Sequence, residues 1–166
     1  FQGAESFNQP IEEWNTNNVN DMSNMFNGAE SFNQPLDFTS TEKVTNMSGM
    51  FENAESFNQP IERRITDHVT DMSDMFASAT SFNQPIEGWI TNNVTDMSHM
   101  FKEAEAFNQP LDFTSTENVT TMKAMFFKAE SFNQPINFNT KNVTDMSIMF
   151  EGAKSFNQPL NWDTSN

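Results

Sequence analysis

The chain has 166 residues, with 23 acidic side chains against 8 basic ones, a formal charge of −15, 18 Phe, 12 Met, and neither Cys nor Tyr. That charge argues against nucleic acid or an anionic membrane as a partner, since both select basic surfaces, and it favours solubility or a cationic partner. No apolar run approaches the length of a membrane span and no signal-peptide pattern is present, so no direct membrane insertion is expected of this segment.

Leu occurs only at Leu36, Leu111 and Leu160, so Phe and Met must carry the burial that Leu usually carries. The organising feature is a repeat. Phe-Asn-Gln-Pro occurs seven times, beginning at Phe7, Phe32, Phe57, Phe82, Phe107, Phe132 and Phe156. Cut before each Phe that follows Met, the units begin at Phe1, Phe26, Phe51, Phe76, Phe101, Phe126 and Phe150. That gives six full repeats and a partial seventh over residues 1–166. All full units have 25 residues except the one from Phe126, which has 24. A period this short implies units that cannot fold alone and that bury a continuous core by stacking. The chain begins and stops inside a repeat with no atypical capping unit, so it reads as a fragment of a longer array.

Within a unit, Ser23 through Asn33 reads as a short helix. Ser23 suits an N-cap, Met25, Phe26, Ala29 and Phe32 share one face, and Pro35 stops the run. The second half reads as a short strand, because Leu160, Trp162 and Thr164 alternate, as do Ile136, Phe138 and Thr140. Units of 25 residues carry one residue more here, which predicts a bulge or widened corner. The fold class expected is therefore an α/β repeat solenoid with one short parallel strand and one short helix per turn.

The motif Asn-Val-Thr-Asp-Met-Ser-x-Met-Phe-x-x-Ala-x-x-Phe-Asn-Gln-Pro-Leu-x-x-Trp resembles the bacterial surface protein repeat of about 25 residues called BspA-like, found in mycoplasma lipoproteins and other bacterial surface proteins. It is similar to the Treponema-type leucine-rich repeat, with Met-Phe and Ala where that class has Ala-Phe and Cys. The resemblance covers every unit. It implies a leucine-rich-repeat-like solenoid at the cell surface or secreted, with adhesion and host or environmental contact as the functions ascribed to relatives.

Several columns of equivalent residues invite a functional reading. Asn8, Asn33, Asn58, Asn83, Asn108, Asn133 and Asn157 are read as a structural ladder, each amide bonding corner backbone that would otherwise be unpaired. The Met pairs suit core packing better than soft-metal ligation. Trp14, Trp89 and Trp162 share a position with Phe38, Phe113 and Phe138, which favours a hydrophobic rung over an exposed stacking platform for sugars. Asp21, Asp71, Asp96 and Asp145 form a carboxylate column. Turn chemistry explains it better than calcium, although oxygen-rich ladders can take that ion. The Thr column, including Thr16, Thr66, Thr91, Thr116, Thr140 and Thr164, is too irregular in its surroundings for ice binding. Asn46, Asn93, Asn118 and Asn142 match the N-glycosylation acceptor, which the repeat template itself explains.

Catalysis finds little support. There is no Cys, His68 and His99 occupy non-equivalent positions, and no metal-ligand spacing or phosphate loop occurs, so no enzyme and no resident cofactor are expected. The readings left are a binding or adhesion module and, as the alternative, a structural module that stacks end to end into an extracellular filament or stalk. For the first, the variable strand-side segments would meet a protein or cell-surface ligand, with Glu12, Glu13, Arg63, Arg64, Glu87 and Asn92 as candidate contacts. Arg63 and Arg64 are the only arginines in the chain.

Overall fold

In a computed structural model of the chain, the described residues are 1–11, 14–36, 41–61, 66–113 and 115–162. Each repeat forms one coil, and the coils are stacked and hydrogen-bonded in register. Bonds between neighbouring coils run without a break from Gly3, which donates to the Asn27 carbonyl, to Asn157, which donates to Asn133.

The expected α/β solenoid of the leucine-rich-repeat type does not form. Among the described residues there is no α-helix and no extended strand; β pairing is reduced to single parallel bridges along one column, Asp21–Asn46–Asp71–Asp96–Thr121–Asp145. The segment expected to be helical is a string of linked β-turns. Met25, Asn27, Ala29 and Phe32 donate to the carbonyls three residues back, at Met22, Asn24, Phe26 and Ala29. The intervening amides of Met22, Asn24, Phe26 and Gly28 donate instead to Asn46, Ser48, Met50 and Glu52 of the next coil.

The backbone angles explain why a helix is excluded. Asn24 (φ 54°) and Gly28 (φ 69°) are left-handed, and so are their equivalents in the later coils. A helix tolerates neither, and only Gly, with Asn and Asp less easily, enters that region without strain. The first of these columns reads Asn24, Gly49, Asp74, His99, Ala124, Ile148, and the second includes Gly3, Gly28, Asn53 and Gly152. The hydrogen-bond arithmetic agrees. A helix would satisfy its amides internally, whereas the turn string hands every second amide to its neighbour and so binds coil to coil.

The core is a slab of rings. Phe26, Phe51, Phe76, Phe101 and Phe126 stack on one another with centroids 5.6–5.7 Å apart. Phe32, Phe57, Phe82, Phe107 and Phe132 form a second column at 5.9–6.0 Å. Inside each of these coils the two rings lie 4.0–4.2 Å apart and within 8° of parallel. All ten are fully buried. Ala29 and its equivalents fill the narrow space beside them, and Met47, Met72, Met97 and Met122 close the slab at the start of each turn string. Aromatic pairs of this offset-parallel kind add about 0.5–1.5 kcal/mol each beyond the area they bury.

Candidate functional site

Past the turn string, each coil turns at Asn-Gln-Pro and enters a corner whose sequence varies. The Asn column fixes the turn. The Oδ1 of Asn58 accepts the backbone N–H of Asn83 at 3.0 Å and the Gln84 side-chain amide at 3.1 Å, and Gln84 Nε2 also donates to the Asn58 carbonyl at 3.0 Å. The same set links Asn8 to Asn33, Asn33 to Asn58, Asn83 to Asn108, Asn108 to Asn133 and Asn133 to Asn157. Phe-Asn-Gln-Pro is therefore scaffold chemistry, repeated once per coil.

In the corner itself the inward positions are filled. Ile11, Ile61, Ile86, Leu111 and Ile136 are buried, Trp89 is only 1% exposed, and Phe138 is buried. Phe113 stacks on Phe138 at 5.8 Å, and Phe138 on Trp162 at 6.2 Å. Trp14 packs 5.3 Å from Phe1 and Trp89 6.1 Å from Phe76. Trp89 thus belongs to the core, with Trp14 and Trp162 packed half-buried against it, and Trp89 Nε1 is enclosed there without a hydrogen-bond partner.

The strand expected around Ile136–Thr140 fails because its bonds go to side chains. Thr66, Thr91, Thr116 and Thr140 are buried. The Thr66 hydroxyl accepts Ile90 N–H at 3.1 Å, Thr91 accepts Ser115 N–H at 3.4 Å, and Thr116 accepts Asn139 N–H at 2.7 Å. Thr91 and Thr116 also donate to the Ser115 and Asn139 carbonyls. Each hydroxyl takes the place of a backbone peptide, so the rung is joined without a strand. Burial also removes Thr16, Thr66, Thr91, Thr116 and Thr140 from any surface role, ice binding included; Thr164 lies outside the described residues.

After each buried Thr comes a β-turn closed by Val, as in Thr91–Val94, where Val94 N–H donates to the Thr91 carbonyl at 3.0 Å. Its tip is exposed, and its Asn side chains reach back to the preceding coil. Asn93 donates to Asp67 O, Asn118 to Asn92 O and Asn142 to Glu117 O. The three glycosylation-like asparagines thus have their amide nitrogens engaged, and Asn46 Oδ1 accepts both the amide and the hydroxyl of Ser48.

The carboxylate column is turn chemistry. Asp71 Oδ1 accepts Ser73 N–H at 2.9 Å and its hydroxyl at 2.7 Å, and Asp96 bonds Ser98 in the same way. The Ser23 hydroxyl and amide hold the Asp21 carboxyl below its ordinary value, and Ser147 does the same for Asp145. Among the described residues no group of three or more His, Asp or Glu converges as a metal site would. His99 Nδ1 lies 3.5 Å from Asp74 Oδ1 on the turn string, apart from His68 in the Thr-to-Val turn of another coil. Nearby, burial and the Asp74 charge push the Glu52 carboxyl up, although Asn27 donates to it at 2.7 Å.

Of the candidate contact residues, Glu12, Glu13, Arg63 and Arg64 lie outside the described residues. Glu87 and Asn92 are both exposed, on either side of the buried Trp89 and Thr91. Asp112, Asn137 and Asn139 are exposed in the corners that follow. These three could have been picked out from the sequence by the alternation that places Leu111, Phe138 and Thr140 inside.

A family profile described as Mycoplasma protein of unknown function, DUF285, matches residues 1–64, 36–137 and 111–166. The chain belongs to this family. The three DUF285 matches overlap along the array, as expected of a profile whose unit is itself repetitive. No curated protein and no solved structure matches the chain. No helix among the described residues is long and apolar enough to cross a membrane.

Proposed function

We propose that the chain is a non-enzymatic binding or adhesion module, displayed at the cell surface or secreted, that meets a protein or cell-surface ligand through its variable corners. The observation behind this reading is the division of labour within each coil. The Phe slab and the Asn ladder repeat almost unchanged, while the exposed corner positions at Glu87, Asp112 and Asn137 differ from coil to coil. A rigid scaffold with variable side chains on one edge suits recognition, since little ordering entropy is lost on contact. The resemblance of the repeat to the BspA-like class supports the location, and with it the partner class. The net charge of −15 favours a partner with a basic surface.

The reading is tested with fluorescently labelled chain and cultured epithelial cells in flow cytometry. Saturable binding, competed by unlabelled chain and reduced by Glu87→Ala with Asn92→Ala, is the expected result. Binding reduced equally by Glu30→Ala with Glu55→Ala on the turn string, or no saturable binding, would overturn it. Long polymers in concentration-dependent light scattering would favour end-to-end stacking instead.

A further inference from the structure

Each full turn string has two left-handed positions, and the residues that fill them change along the array. In the string at 21–31 they are Asn24 and Gly28, and in the string at 46–56 they are Gly49 and Asn53. In the string at 96–106 they are His99 (φ 58°) and Glu103 (φ 57°), and at 121–131 they are Ala124 (φ 52°) and Lys128 (φ 53°). Gly and Asn enter this region readily, whereas the Cβ of Glu, Ala or Lys crowds the following carbonyl oxygen. The strain bears on the joints between coils, because the left-handed residues are the ones whose amides cross to the next coil. His99 N–H donates to Lys123 O at 2.8 Å and Glu103 to Phe127 O at 2.7 Å. Ala124 donates to Ser147 O at 2.9 Å and Lys128 to Glu151 O at 2.7 Å.

Side chains bolt this stretch from outside. Ser78 Oγ donates to Glu103 Oε2 at 3.4 Å, Lys128 Nζ donates to Glu103 Oε1 at 3.0 Å, and the same ammonium lies 5.0 Å from the centre of the Phe127 ring. Ser78, Glu103 and Lys128 are all left-handed themselves, and they occupy the column that holds Gly28 and Asn53 in the earlier coils. The contacts therefore run across three coils where that column has lost Gly and Asn. The bond from Lys128 holds the Glu103 carboxyl below its ordinary value, so the pair is ionised at neutral pH. We propose that the turn strings at 96–106 and 121–131 form a latched weak seam, at which the array opens locally ahead of the rest when salt loosens the Ser78–Glu103–Lys128 contacts. Opening there parts Phe101 from Phe126, now stacked 5.7 Å apart, while the coils on either side stay joined to their own neighbours.

The seam stands whether or not the corners bind a surface, and amide hydrogen exchange of the isotope-labelled chain tests it. The strings at 21–31 and 121–131 are each second from an end of the chain, so fraying of the ends affects both alike. The Ala124 and Lys128 amides should be about tenfold less protected than those of Asn24 and Gly28, the equivalent of about 1.4 kcal/mol. Raising salt to about 0.5 M should lower protection at 121–131 a further two- to threefold or so and leave 21–31 unchanged. Two substitutions separate strain from latch. Lys128→Asn removes both and should raise protection by about threefold, since Asn tolerates the backbone angle. Lys128→Met keeps the strain and removes the latch, and should lower protection by about two- to threefold and abolish the salt response. Gly28→Ala, whose added Cβ would meet only Gly3 at 3.4 Å and beyond, should make a second seam at 21–31 with about tenfold less protection. Equal protection of the two strings in the parent chain would overturn the proposal. So would Lys128→Asn and Lys128→Met moving exchange in the same direction, a salt response that persists in Lys128→Met, or no loss of protection in Gly28→Ala.

Discussion

The turn string and the corner solve the same problem by different means. Both must join a coil to its neighbours without a helix or a strand. The turn string does so with backbone alone, sending alternate amides inward and onward, and it accepts left-handed residues as the condition. The corner does so with side chains, the Thr hydroxyl standing in for a peptide group and the Asn amides reaching back one coil. A backbone solution constrains geometry at every position. A side-chain solution constrains only the residues that make the bonds and leaves the positions between them free.

The largest expected effect comes from breaking what both regions share. Phe82→Ala removes a fully buried ring at the centre of the slab and should cost about 3–5 kcal/mol, read as a lower urea midpoint in Trp fluorescence. Next come the two ladders. Asn83→Ala leaves the Asn108 amide without its acceptor and Gln109 with only the residue 83 carbonyl, and Thr91→Val takes the hydroxyl from the Ser115 backbone N–H and carbonyl; each should cost about 1–3 kcal/mol. A Thr91→Val loss near zero would show that the corner is held by its apolar residues alone.

A gain is expected where the turn string is strained. Ile148 is β-branched, left-handed (φ 50°) and 47% exposed, in the column that elsewhere holds Asn, Gly, Asp, His and Ala. Ile148→Gly should raise stability by about 1 kcal/mol; an unchanged midpoint would mean that the strain is relieved locally. The smallest effect concerns Glu52. Its carboxyl is pushed up in the folded chain, so the fold binds that proton more tightly than the unfolded chain does. The ionised form is therefore a penalty, absent at acid pH and complete once pH has risen past the raised folded value. Glu52→Gln should accordingly stabilise the chain at pH 7, with the gain fading as pH falls through the carboxylate range. A gain that persists at pH 3 would place its origin in packing rather than charge.

How much was legible follows the same division. Periodicity located the repeat, the core faces of Phe, Ala and Met, and the Asn positions, because those signals depend on which residues recur. It did not reveal the turn string, since Ser-x-Met-Phe-x-x-Ala-x-x-Phe has helical spacing, and the same spacing suits linked turns. The contrary signal was present in the Asn24, Gly49, Asp74, His99 column, residue types that tolerate positive φ, but the column ends in Ala124 and Ile148. The inference of a strand failed for a related reason. Alternation reports which side chains point inward, and it is silent on whether the amides between them bond a backbone or a hydroxyl. The short corner was legible as a unit one residue short, and the structure adds that the Thr ladder keeps its register across it.

One consequence of the inter-coil bonding concerns inheritance. The bonds that join coils span between 23 and 26 residues, from the Thr116–Asn139 pair to the Gln84–Asn58 pair, so each coil touches only the one before and the one after. Excising a whole unit, or duplicating one, brings together two surfaces that already fit. A gene for such a chain can lose or gain 75-nucleotide blocks by misaligned copying and still encode a sound molecule, with the corners reshuffled. A change of a single residue survives only where the corner can absorb it, as it does between Ile136 and Thr140.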